Sequence, residues 1–402
     1  MKTHTTHLEG AVLPTVVVVT LVMLTAALGL LALWERETML FARMQRLRQA
    51  RADAESAALL YCLHPGDRAL TDDDGLTLCD SLPKSRVFLR REPWGLYELL
   101  RISTADSLAV SCRLLGVAAD PRQTLRYADN RTAVTLAGDT RLHGVLHLPQ
   151  NGLAYGRVGA DFFRGAPVAQ AMIRRAAAQL PQPAPEALRR IEGLFAARGV
   201  PEVPDSLAVS FRDSTVVLRV GAAAIGACTL RGRIVLVADE LRIDSACRLE
   251  HPLVCARKIT VGSGARIAAQ LFARDTLVVE PRARLEYPSG VWAGRYAELD
   301  DRTTVDGYLI VRDTVRHRKM TAAYRQARTA RVRGLLYVDG AAHVQGIVAG
   351  QAVLRQAVYF AAQGYYKDML HDFTLLENHA TAQPLWFASA DTLRRKEGAC
   401  VR

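Results

Sequence analysis

The sequence predicts a mainly β protein: a single-pass N-terminal transmembrane helix followed by a parallel β-helix of about 18 residues per rung, with a helical insertion. Three observations predict it. Apolar pairs recur every six residues from Val235 to Leu285, the stretch from Ala11 to Trp34 carries no charge, and Glu35 to Tyr61 holds helix formers with no Gly or Pro.

The pairs are Val235/Val237, Leu241/Ile243, Cys247/Leu249, Leu253/Cys255, Ile259/Val261, Ala265/Ile267, Leu271/Ala273, Leu277/Val279 and Ala283/Leu285. About half of an ordinary chain is apolar, so composition alone does not hold such a frame through nine consecutive hexads. Residues two apart share one face of a strand. Three short strands joined by three corners make one triangular turn, and Arg248, Arg266 and Arg284 coincide at the longer period. Each turn then buries its inward residues on the turn below, and all nine pairs are expected to point inward.

A glycine-containing unit extends the pattern at Leu142 to Leu148, Leu230 to Leu236, Val305 to Val311 and Val332 to Val338, with a shorter copy at Val344 to Val348. Glycine before a strand suits a tight corner. Rungs are expected over residues 140–162 and 207–360, inside a β-helix spanning 140–370. Two segments interrupt it. Residues 165–199 read as two helices, Val168 to Leu180 and Pro185 to Arg198, with Pro185 at a first helical position. Residues 312–331 form a basic insertion, with Arg312, Arg316, Arg318, Lys319, Arg325, Arg328 and Arg331 against one acid, Asp313. Residues 62–139 are a strand-rich connecting region. Residues 371–402, with Phe373, Leu375, Leu376, Leu385, Trp386 and Phe387, are expected to cap one end of the rod.

The stretch from Ala11 to Trp34 exceeds the roughly 20 residues that cross a bilayer. It also exceeds the apolar region of a cleaved signal peptide, normally about 7–15 residues. A lipid bilayer is therefore the first expected partner. Beyond it, Leu40, Met44, Leu47, Ala54, Ala58 and Tyr61 form an apolar stripe beside Arg43, Arg46, Arg48 and Arg51, so that residues 1–61 comprise leader, span and amphipathic continuation.

This N-terminal region resembles type IV minor pilins and the pseudopilins of type II secretion. Glu9-Gly10-Ala11-Val12-Leu13 is similar to the end of a prepilin leader, which implies cleavage after Gly10, and residues 52–58 resemble the small, acidic stretch where such helices turn toward their globular domain. Thr15 departs from the glutamate that major pilins carry there, which argues against a repeating shaft subunit. An uncleaved signal anchor is the alternative. The short aliphatic rungs resemble bactofilins, which implies a self-polymerising scaffold; the insertion at 165–199 departs from that rod.

Sidedness is contested within the sequence. Arg36, Arg43, Arg46, Arg48 and Arg51 follow the span and only Lys2 precedes it, a bias that favours a cytoplasmic body. The pilin resemblance implies the opposite, and an extracytoplasmic body on a bacterial inner membrane is the expectation adopted.

The net charge of +12 comes with only 6% aromatics, and these are not interleaved with the arginines as base-stacking platforms, so nucleic acid is not an expected partner. A solvated arginine face explains the charge; anionic headgroups or acidic polysaccharide are secondary possibilities. The seven cysteines have no metal spacing. Cys228, Cys247 and Cys255 fall in the solenoid, the last two as apolar filler. Cys62–Cys79 is the first disulfide to test if the body is exported, with Cys112 also outside the repeat; a reduced compartment fits these thiols equally well.

Catalytic patterns are sparse. The run from Asp72 to Gly75 lacks the spaced ligands of a calcium loop. His143 and His147 lie about 13 Å apart on a strand, too far to share a metal. Glu280, Glu286, Asp300 and Asp301 form no cluster in sequence. Polysaccharide-processing enzymes also use β-helices, but fold does not confer function. No catalytic, cofactor-binding or metal-ligating residue is assigned, and no cofactor is expected. The expected role is a non-enzymatic envelope component with protein partners or self-association.

Overall fold

The computed structural model describes residues 12–72, 74–78, 85–120, 122–315, 319–387 and 393–401. Gly10, Asp73, Cys79, Arg316 and Arg318 lie outside these residues, and so do the leader junction and the Cys62–Cys79 pairing.

Helix α1 runs unbroken over Val12–Leu63. Its apolar part is long enough to cross a membrane and none of it is buried in the protein. Its last turns are different. Ala50, Ala54, Ala57, Ala58 and Tyr61 are buried, and the small side chains let the helix lie close on Val87, Leu89, Leu100, Ile102 and Leu115. Those residues belong to an antiparallel sheet of Leu76–Thr77, Arg86–Trp94, Tyr97–Thr104, Val110–Val117 and Arg395–Val401, in that order.

The opposite side of this sheet packs on a parallel β-solenoid of about 12 turns. In its most regular part the register advances by the expected 18 residues, as in Val235 with Leu253, Leu241 with Ile259 and Arg266 with Arg284. Its interior is one contiguous, mostly aliphatic core. The hexad frame describes two sides of the triangle: Leu241/Ile243, Ile259/Val261 and Leu277/Val279 point inward on one side, and Cys247/Leu249, Ala265/Ile267 and Ala283/Leu285 on the other.

On the third side the frame holds at Leu271/Ala273 and is corrected at the two pairs before it. Val235/Val237 and Leu253/Cys255 point outward, into a second core beneath the antiparallel sheet, while Leu236, Val254 and Ala256 face the interior. The register advances by 17 rather than 18 between Leu253 and Gln270, after an irregularity between Glu250 and Leu253. A one-residue slip exchanges the two faces of a strand. Strands buried on both faces read as continuous apolar runs, so periodicity does not register the exchange.

Three further expectations change. Residues 168–180 hold no α-helix: Gln170–Met172 is a single 3-10 turn, and Ile173–Arg175 pairs in parallel with Leu146–Leu148. A lone short helix is marginal, whereas the ladder supplies partners for this backbone. The second helix does form, as α2 over Pro185–Phe195, with Ala187 and Ile191 buried. Rungs also begin before residue 140. Leu125–Tyr127 pairs with Ala352 to Leu354, and Arg141–Leu142 pairs with Thr374 and Leu375. The turns at 125–175 therefore stack on the C-terminal end of the coil, and residues 176–205 return to its other end.

The tail does not cap an end. Phe373 and Leu375 are core residues of a rung, Trp386 packs edge-on against Tyr337 on the covered side, and Arg395–Val401 completes the antiparallel sheet against Val110–Val117. Within the basic insertion, Tyr324–Gln326 rejoins the coil by pairing with Ala297 to Leu299 and Ala342 to Val344.

Candidate functional site

Three polar arrangements hold the layers together, and each uses residues distant in sequence. The first sits at the foot of α1. Tyr61 donates its hydroxyl hydrogen bond to the Glu98 carboxylate, and Arg395 Nη2 lies 3.4 Å from Glu98 Oε2 with its side chain fully buried. Burial first, then the Glu98 charge, pushes the Tyr61 hydroxyl well above its ordinary range, so it stays a donor. Removing one partner of a buried pair leaves the other charge unpaired, a cost of about 3–5 kcal/mol. Helix, sheet and C-terminal strand are locked at this point.

The second joins sheet to coil. Gln270 points out of the solenoid into the turn between Trp94 and Tyr97. Its Oε1 accepts from Leu96 N and from Tyr308 Oη, both at 2.9 Å, and its Nε2 donates to Trp94 O at 2.9 Å. Gly95 has φ +61°, and a side chain there would collide with Gln270. The backbone N–H of Leu96 and the carbonyl of Trp94, buried in this turn, thus both find a partner on Gln270, as burial requires.

The third is the group with most chemical potential. Ligand atoms of Asp161, His371 and Asp372 lie within 4.8 Å of one another. His371 Nε2 is 2.9 Å from Asp161 Oδ2, and Nδ1 is 3.6 Å from Asp372 Oδ2. Arginines already answer the carboxylates: Arg164 pairs with Asp161 and, at 3.0 Å, with Asp139, while Arg328 Nε is 3.3 Å from Asp372 Oδ2. Asp372 Oδ1 also accepts from Asp139 N at 2.9 Å. Burial raises the Asp161 carboxyl, but hydrogen bonds from His371 and Arg164 outweigh it and leave Asp161 below its ordinary value. The Arg164 hydrogen bond likewise lowers Asp139. A cation here would sit between two guanidiniums. The arrangement does its work as a charge-matched clasp between the hairpin near residue 160, the corner at residue 328 and the rung at 371–372.

The residues considered in sequence do not converge. Glu280 forms a bidentate pair with Arg242, at 2.6 and 2.9 Å, and accepts from Ser263 N. Asp301 bonds Thr329, Glu286 is exposed, and His143 lies exposed at a corner while His147 lies on the strand beyond it. Gly75 N bonds Asp72 O, closing a turn. Arg248, Arg266, Arg284 and Arg331 are all exposed along one side of the coil, Arg266 in register with Arg284. The Asp161–His371–Asp372 group escaped the sequence because Asp161 lies 210 residues before the adjacent pair His371-Asp372, with no spacing to betray it. No family model, no curated protein and no solved structure matches the chain.

Proposed function

We propose that this chain is a membrane-anchored, non-enzymatic structural or assembly protein of the bacterial envelope, a pilin-like stem that carries a rigid β-solenoid outside the cytoplasm. The observation that carries the reading is the division of α1. One unbroken helix leaves its uncharged half bare and buries only its last turns on an antiparallel sheet. A bare apolar half needs lipid or the same half of neighbouring helices. A docked half transmits position rigidly to the body. That division of labour is what the pilin resemblance implies, and the junction of Tyr61, Glu98 and Arg395 makes it stiff.

Protease accessibility in spheroplasts tests the placement. The body is expected to be digested in intact spheroplasts; protection until lysis overturns the extracytoplasmic reading. N-terminal sequencing of the mature chain tests the pilin resemblance separately, with an N-terminus at Ala11 expected.

A second reading, a bactofilin-like scaffold, is favoured by the open ends of the coil. Among the described residues, Ser206–Val209 at one end pairs only with Thr229–Gly232, and Ile173–Arg175 at the other pairs only with Leu146–Leu148. Such edges template another chain. Regular filaments of the detergent-solubilised full chain in electron micrographs would replace the first reading with this one.

A further inference from the structure

Cys228 and Cys247 occupy the same inward corner in consecutive turns of the coil. Arg248 N donates to Cys228 O at 2.8 Å, and Thr229 pairs in register with Arg248, so the residues just before that pair are stacked. Neighbouring strands lie about 4.8 Å apart, inside the Cα separation of about 4.4–6.8 Å that a disulfide bridges. The two Sγ atoms are 3.0 Å apart, closer than two non-bonded sulfurs come to rest. Both residues are buried, at 7% and 1% exposure.

The following turns show what this corner requires. Continuing the register, Ala265 and Ala283 fill it, both fully buried. A methyl group is enough for packing. Sulfur appears only in the two turns nearest the open end at residues 206–225, where a stack has the least support and opens most readily. Cys255 is the contrast: it is fully buried on the covered side among apolar residues, and burial alone raises its thiol.

We propose that Cys228 and Cys247 form an intrachain disulfide that staples the open end of the solenoid, acquired by exchange with a dithiol–disulfide donor. The Cys228 thiolate attacks one sulfur of the donor disulfide and expels the other as a thiolate, leaving a mixed disulfide. The Cys247 thiolate then attacks the Cys228 sulfur and expels the second donor thiolate. Two protein thiols lose two electrons, the donor disulfide gains them, and its two thiolates take up the two protons. Exchange precedes final closure of this turn, since the closed turn buries both sulfurs. The supply of an oxidising donor rests on the extracytoplasmic placement proposed above; the pairing itself does not.

The test maps disulfides in the full chain, purified in detergent after iodoacetamide blocking at lysis and digested without reductant. A peptide linking Cys228 to Cys247 is expected, with Cys255 alkylated only after unfolding. A parallel sample is reduced in denaturant, refolded into detergent with oxidised glutathione and mapped identically. The linkage in cell-derived protein establishes the staple. The linkage only after refolding supports the pairing and overturns the extracytoplasmic reading. Cys228 and Cys247 unlinked in both samples, or linked to other cysteines, overturns the proposal. Because alanine already fills this corner in later turns, the double variant Cys228→Ala/Cys247→Ala is expected to fold. Reductant should lower the wild-type melting temperature by several degrees and leave that variant unmoved; equal responses overturn the stapling role.

Discussion

Inside the coil, Ile243, Val261, Val279 and Leu299 stack in register, each at most 1% exposed. Across its covered side, Phe272, Tyr308, Tyr337 and Trp386 meet Trp94, Tyr97 and the face of α2. Both regions are buried, yet they are built differently. In the coil each aliphatic residue rests on a similar one above and below, so one shape serves every turn. The interface joins surfaces with no common period. Large aromatics fill it, with edge-on pairs such as Tyr97–Tyr308 at 5.6 Å and Tyr337–Trp386 at 5.7 Å, and Gln270 satisfies the polar atoms that the turn brings with it. Repetition therefore stabilises through many equivalent contacts, and the interface through a few that are not replaceable.

The sharpest way to break this comparison is a charge inside the repeat. Val261→Lys buries an unpaired ammonium among residues that cannot rearrange, and a loss of about 4 kcal/mol or more is expected. The denaturation midpoint of the full chain in detergent measures it; an unchanged midpoint would mean that this column faces solvent. On the interface side, Trp386→Ala removes a fully buried indole and should cost about 3 kcal/mol. Here the expected signature is different: far-UV circular dichroism keeps its strand signal while residues 377–401 become susceptible to protease. Loss of the strand signal as well would show that coil and interface are one cooperative unit.

Gln270→Leu is the subtler cut. It conserves volume but strands Leu96 N–H and Trp94 C=O, for an expected cost of about 1–3 kcal/mol. The smallest effect expected is pH-dependent. His251 holds φ +67° beside the interface, and its carbonyl accepts from Trp94 Nε1 at 3.0 Å. Burial first, then Arg231, lowers its imidazole below the ordinary value of 6.5, against the opposing pull of Glu250. The folded protein then binds fewer protons than the unfolded one, so stability is full above pH about 6.5 and declines as pH falls toward the folded-state value. Melting temperatures at pH 7 and pH 5 should differ more for the wild type than for His251→Asn, a residue that tolerates positive φ.

How much of this was legible varies with what each residue answers to. Ile259 and Val261 declared their side of the strand because the strand's other side meets water: the contrast with Lys258 and Thr260 is the signal. Val235 and Leu253 carried no such contrast, since an apolar partner covers the side that faces away from the coil. Pro185 marked α2 through its fixed φ and missing donor, whereas Ile173 took its conformation from Leu146, which no local pattern announces. The clasp of Asp161, His371 and Asp372 and the buried pair of Glu98 with Arg395 were invisible for the same reason. The corner shared by Cys228 and Cys247 was open to reading, one turn apart with the longer step of that rung, but only once the turn was known.

The long apolar helix, the 18-residue turn and the aliphatic interior follow from local composition and period, because each is decided by how neighbouring residues divide between polar and apolar surroundings. Which side of the coil is covered, where the chain's two ends interleave and what the tail does are decided only when distant segments meet. Those choices depend on surfaces that match in shape and hydrogen bonding across more than a hundred residues, as Trp94 with Gln270 and Glu98 with Arg395. A periodic pattern carries no information about a partner that does not share its period.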